Sequence, residues 1–184
     1  RPEELATDTA TTESAIHHYL NKFSKKPDIV VLLQATSPLR PKGSLDKALK
    51  HFNKCRYDSL LSISPTHRFF WRVKNDDTAY AEYDYLNRPL RQDMKLEDMR
   101  YLENGSLYIF SRKHFEKTGN RLGGKIGYVA WPEEFSLEID TPLDFEFVEK
   151  IYKSQNSWVT EKLFYFRHPF HLKSFQFILL AYFY

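Results

Sequence analysis

The chain has 184 residues, 42% of them hydrophobic and 28% charged, with a formal net charge of +3. That length holds one domain with a core of ordinary hydrophobicity, and the near-balanced charge excludes the basic footprint of a nucleic-acid binder. One cysteine, Cys55, excludes an intramolecular disulfide framework and points to a reducing compartment. Flanked by Lys54 and Arg56, Cys55 is read as a half-buried helix residue rather than a nucleophile. Residues Arg1 to Thr12 are polar and acidic, unlike a secretory leader. The strongest apolar run, Phe175 to Tyr184, is far shorter than the roughly 20 residues of a membrane-spanning helix. The expectation is a soluble, cytoplasmic protein.

Ala10 to Phe23 predicts a helix, with Thr9, Thr11 or Thr12 to cap it and Ile16, Leu20 and Phe23 on one face. Ile29 to Leu33 is an unbroken β-branched and aliphatic run, as in strands buried on both faces of a parallel sheet. It ends in the polar loop Gln34 to Arg40, and ligands of open α/β sheets bind at such strand ends. A second helix is expected from Ser44 to Lys54 and a second strand from Ser59 to Ser64. This helix and strand rhythm argues for βαβ units and a doubly wound, mostly parallel sheet. Pro65 to Arg100 breaks the rhythm with aromatic residues and charge, and reads as an excursion suited to a subunit contact or a lid. Asn104-Gly105 reads as a turn before a strand over Ser106 to Phe110, and Lys125 to Ala130 as a further strand. Ser136 to Asp140 reads as a strand with Glu138 and Asp140 on one face. Thr141-Pro142-Leu143-Asp144 then starts a helix that ends near Lys153.

Three clusters can carry chemistry. Glu138 and Asp140, two apart, can reach one hard cation such as Mg²⁺, or can be solvated residues at a strand end. Gln34, Thr36, Ser37 and Arg40 can hydrogen-bond a ligand or a phosphate, or can form a turn that caps its own backbone. In the third cluster Arg91 can clamp a carboxylate, and Asn104 and Tyr108 can read hydroxyl or amide groups. Their alternatives are a plain turn and a core tyrosine. The seven histidines show no metal-ligand spacing, and there is neither a nucleophile elbow nor a Walker-type phosphate loop.

In this order the clusters resemble the acylneuraminate cytidylyltransferases. The matching pieces are Arg1-Pro2-Glu3-Glu4-Leu5-Ala6 with Asp8, Leu33 to Arg40, Tyr57-Asp58-Ser59, Arg91-Gln92-Asp93, Glu103 to Tyr108, and Ser136 to Pro142. The resemblance implies a Rossmann-like α/β nucleotidyltransferase fold over residues 1–153, with residues 65–100 as an inserted dimerisation or lid segment and 154–184 as an atypical aromatic-rich tail. It implies transfer of CMP from CTP to a nonulosonic acid, with Mg²⁺ as cofactor and a homodimer as the assembly. It further implies that Asp140 and Glu138 serve the metal and catalysis, and that Arg91 meets the sugar's carboxylate. By the same resemblance Arg1 and Thr12 hold the nucleotide, while Gln34, Asn104 and Tyr108 line the sugar pocket. Members of that family open with a strand and a basic, Gly-rich loop, and neither precedes Arg1, so the chain is expected to start inside the domain with its first strand unpaired. Two competing readings are a cytidylyltransferase for another acidic sugar (legionaminic, pseudaminic or 3-deoxy-octulosonic acid) and a truncated, non-catalytic dimerising chain.

Overall fold

A computed structural model describes residues 2, 5, 7, 9–22, 24, 26–95, 98–155 and 175–180, the last six and Gln155 by backbone alone. Helix α1 spans Thr12–Asn21, where the Thr11 side chain caps the Ser14 amide at 3.1 Å and Ala15, Ile16 and Leu20 are buried. Strand β1 (Ile29–Gln34) leads to α2 (Ser44–Cys55) and β2 (Ser59–Thr66). A small hairpin follows, β3 (Trp71–Val73) with β4 (Ala79–Ala81), and then a short 3-10 turn at Arg91–Asp93. The long β5 (Arg100–Ser111) continues into α3 (Arg112–Thr118), β6 (Ile126–Ala130), α4 (Pro142–Gln155) and β7 (Phe175–Leu180).

The main sheet has the order β6-β2-β5-β1-β7. Pairs β2·β6 and β1·β7 are parallel, whereas β5 is antiparallel to both β1 and β2. Four strands therefore share one direction, and the chain's return from the hairpin excursion supplies the reversed fifth. Alternation along the strands gives the sheet two buried faces. Val30, Leu32, Tyr108 and Phe110 pack with Ile16, Leu20 and Phe115 under α1 and α3. Val31, Leu107 and Ile109 pack with Ala48, Phe52 and Trp131 under α2. Each fully buried aliphatic side chain of this kind contributes roughly 1.5–3 kcal/mol.

Three sequence expectations need correction, and one helix is new. Asn104-Gly105 is no turn between elements but a bulge inside β5. Two steps along β2, from Leu61 to Ile63, face five along β5, from Tyr108 to Glu103, and Gly105 takes φ +63°. Ser136 to Asp140 is no strand: a 3-10 turn at Glu133–Phe135 precedes it, and the Ile139 amide bonds the Thr36 carbonyl at 2.8 Å in place of a ladder. Helix α3 adds an element that the helix and strand rhythm does not predict, although its Ser111 cap and its left-handed Gly119 stop (φ +68°) are ordinary helix signals. The flank of β1 is not bare, because β7 pairs with it in parallel from Ile29↔Phe175 to Gln34↔Leu180. Residues 156–174 and 181–184 of the aromatic-rich tail lie outside the described residues.

Candidate active site

The loop after β1 is anchored before it can serve a ligand. Arg40 is spent on backbone carbonyls: its guanidinium donates to Ser106 (3.1 Å), Gln34 (3.1 Å) and Pro38 (3.3 Å). Burial pushes its pKa down to about 10, so it stays charged at neutral pH. Arg40 is thus the brace of the loop rather than a free phosphate ligand. The braced loop presents Gln34 and Ser37 to the β5 bulge. A Cβ built on Gly105 would lie 2.7 Å from Gln34 Oε1, 2.7 Å from Glu138 Oε1 and 2.8 Å from Ser37 Oγ. Three oxygens from two distant segments thus close onto one glycine, which a side chain would fill. Ser37 is 1% exposed, and its Oγ is buried without a hydrogen-bond partner among the described residues.

Beside this point lies a cleft of about 720 Å³ lined by Glu103, Glu133, Glu134, Glu138, Asp140 and Asp144, with the guanidinium of Arg68 as the one cation among its described residues. It opens where β1 and β2 end and β5 begins, the carboxyl edge of the shared strand direction. Burial, then Asp140, then Glu103 raise the Glu138 carboxyl above its ordinary pKa. Asp144 is a cap: its Oδ2 accepts from the Thr141 amide (2.8 Å), the Thr141 hydroxyl (2.8 Å) and the Asp140 amide (3.2 Å). The expected Thr141-Pro142 helix start is therefore present, and it fixes the backbone that carries Asp140.

Arg91 lies in a neighbouring cleft of about 790 Å³ with His67, Arg68, Phe69, Trp71, Tyr83 and Arg88, so Arg68 borders both spaces. Arg88 stacks over Phe69 at 4.4 Å, and Phe69 packs on Tyr83 at 4.2 Å. Asn104 is 1% exposed. It accepts from the Ser62 hydroxyl at 2.5 Å and from the Ser106 amide at 3.3 Å, and donates to Ser64 Oγ at 3.0 Å. Tyr108 is buried, with its hydroxyl donated to Glu103 Oε1 at 2.5 Å. Desolvation first, and then that hydrogen bond, push its ionisation upward. Thr12 is the first residue of α1, and Arg1 lies outside the described residues.

The structure therefore gathers Glu138 and Asp140 at one cleft, brings Gln34 to the Gly105 bulge that Glu138 also reaches, puts Arg91 next door, and turns Asn104 and Tyr108 inward beneath it. Sequence reasoning missed Glu103 as a cleft carboxylate and Arg121, whose guanidinium lies 4.6 Å from the Tyr108 ring centre. Only the Glu at the head of the Asn-Gly motif carried a local signal. Cys55 also has a neighbour overlooked in the sequence: His51, one helical turn earlier, with Nδ1 3.6 Å from its Sγ.

Fold and cleft define a Rossmann-like α/β domain with an acidic, oxygen-lined site at its strand ends. In fold it is similar to 4-diphosphocytidyl-2C-methyl-D-erythritol synthase from Anaerococcus prevotii, at TM-score 0.53 and 12% identity over 79% of this chain and 68% of that one. In sequence the chain is similar to N-acylneuraminate cytidylyltransferases. It is 33% identical to cytidylyltransferase A of Danio rerio and 30% identical to the enzyme of Oncorhynchus mykiss, each over 82% of this chain but 35% and 34% of the relative. The chain thus spans about a third of the length of these relatives. It is also 28% identical to post-translational flagellin modification protein B of Campylobacter coli, over 85% of this chain and 68% of that protein. No model of a protein family matches the chain.

Proposed function

We propose that the protein transfers CMP from CTP to a nonulosonic acid, N-acetylneuraminic acid or a close relative, releasing pyrophosphate. The observation that carries this reading is the meeting of Gln34, Ser37 and Glu138 at Gly105, beside Asp140. Segments far apart in the chain, each matched to the cytidylyltransferases, fold onto a single point. In the reaction the sugar's anomeric hydroxyl attacks the α-phosphorus in line with the departing pyrophosphate. Arg91 meets the sugar's carboxylate, for which a planar guanidinium is suited, and Gln34 bonds the sugar's polar groups. Asn104 and Tyr108 serve the sugar side from beneath, holding the bulge and Glu103 in place. Arg1 and Thr12 belong to the nucleotide side.

The donor set fits a magnesium ion shared with substrate. Among the described residues no group of three His, Cys, Asp or Glu side chains could enclose a metal. Asp140 and Glu138 offer two carboxylates, and Mg²⁺ characteristically combines one or two of these with water and phosphate oxygens. Burial first, and then the negative charge of Asp140 and Glu103, raise the Glu138 carboxyl, and a cation would relieve the charge part of that shift. When bound, Mg²⁺ would neutralise charge developing on the phosphoryl oxygens.

Homodimerisation through the residue 65–100 excursion is part of the proposal, supported by exposed Trp71, Val73 and Leu86 (53%, 84% and 79%) on and near its hairpin. A cytoplasmic setting rests on the single cysteine. Among the described residues no helix is long and apolar enough to cross a membrane. A second reading is the same chemistry on another acidic sugar such as legionaminic, pseudaminic or 3-deoxy-octulosonic acid, each of which carries a carboxylate that a guanidinium such as that of Arg91 is suited to meet. The test is pyrophosphate release by the full encoded protein with CTP, Mg²⁺ and each of these acids. Turnover with one of them, abolished in Asp140→Ala, is expected; silence with all of them overturns the assignment.

A further inference from the structure

Outside both clefts, a polar chain runs through the α1 side of the sheet. Glu13, in the first turn of α1 and next to Thr12, forms an ion pair with Arg121 from the loop before β6. Both side chains are mostly covered, at 26% and 21% exposure. The Arg121 guanidinium lies over the Tyr108 ring at 4.6 Å, and the Tyr108 hydroxyl reaches Glu103 at the acidic cleft. Arg121 Nε is buried without a hydrogen-bond partner among the described residues, and Tyr108 and Glu13 are the groups that hold its guanidinium there.

We infer that Arg121 is a positioning residue that couples the nucleotide side of the site to its sugar side, holding α1 through Glu13 and Glu103 through the Tyr108 ring. The inference rests on the proposed activity, in which Thr12 faces the nucleotide and Tyr108 the sugar. Its physical content is that one rigid cation has two faces of use. Its charge fixes the helix start, and its place over the ring fixes the tyrosine whose hydroxyl orients a cleft carboxylate. Lysine retains the first function and weakens the second, because an ammonium is a point charge without the planar fork that holds Glu13 and the ring together.

The experiment measures kcat and both KM values for CTP and the preferred sugar acid in the full encoded protein. Arg121→Ala is expected to raise both KM values about tenfold, the size of one lost, partly buried cation contact. Glu13→Gln moves chiefly the KM for CTP, and Tyr108→Phe chiefly that for the sugar. Arg121→Lys keeps the wild-type KM for CTP but not that for the sugar. The double variant Arg121→Ala/Tyr108→Phe is no worse toward the sugar than Arg121→Ala alone, since both break one path. Strictly additive losses, or a fall in kcat alone that follows the folded fraction, would overturn the inference and leave the activity standing. If Arg121→Ala fails to fold, the Arg121→Lys split decides. A wild type silent toward every sugar acid refutes the reading beneath the inference, and with it the coupling.

Discussion

Gly105→Ala tests the geometry of the site most directly. The left-handed backbone (φ +63°) costs a non-glycine residue about 1–2 kcal/mol. The new methyl would also sit 2.7–2.8 Å from three oxygens, where some atom must give way. Gln34 and Glu138 can swing their far ends aside, but Ser37 is short and 1% exposed, and its carbonyl is held by the Ser106 hydroxyl at 3.0 Å. Overpacking of this sort adds about 1–3 kcal/mol, for a total of about 2–5 kcal/mol. Gly43 provides the control: its φ is +70°, yet nothing lies within 4 Å of a Cβ built there. Gly43→Ala should therefore cost only the backbone part, about 1–2 kcal/mol. Urea unfolding of the two variants isolates the crowding as the difference between them. Because the displaced groups are those assigned to substrate and metal, Gly105→Ala should also lose CMP transfer more than a hundredfold, roughly, while still folded. The reasoning is refuted if Gly105→Ala is no less stable than Gly43→Ala and turns over within about twofold of wild type.

Three further outcomes are expected. Asn104→Ala leaves Ser62, Ser64 and the Ser106 amide short of a buried partner, so stability should fall by about 1–3 kcal/mol for each group left unsatisfied, measured by denaturant titration. Glu138→Gln should raise the melting temperature at neutral pH while weakening Mg²⁺-dependent turnover. With a raised carboxyl, the folded state holds more protons than the unfolded one between the ordinary value and the raised one. Wild-type stability therefore declines as pH rises through that window, and the variant's advantage should vanish in acid. Asp144→Asn should lower the melting temperature at neutral pH, because the Thr141 hydrogen bonds favour its carboxylate. That carboxyl is depressed, so its contribution is lost as pH falls through the folded value, and variant and wild type should converge in strong acid.

The sequence by itself determined the elements whose signals are local. The Ile29 to Leu33 run could only be a buried strand, and it became β1 with both faces covered. Thr141, Pro142 and Asp144 specified a helix start through their own hydrogen bonds, and α4 begins there. The motifs likewise named the segments that meet at the cleft. Tertiary structure decided what depended on a partner far along the chain. Whether Asn104-Gly105 turns or bulges is set by β2, whose register skips between Leu61 and Ile63, and a dipeptide carries no record of its cross-strand neighbour. Ser136 to Asp140 had the alternation of a strand, yet a ladder needs a free edge beside it, and the Thr36 carbonyl supplied a single bond instead. Arg40 and Asn104 looked free to bind ligands, because a polar side chain in sequence has no visible acceptor. Only the folded chain brings the Ser106 carbonyl to Arg40, and Ser62 and Ser64 to Asn104. The coupling of Glu13 to Arg121, 108 positions apart, belongs wholly to that second kind of information.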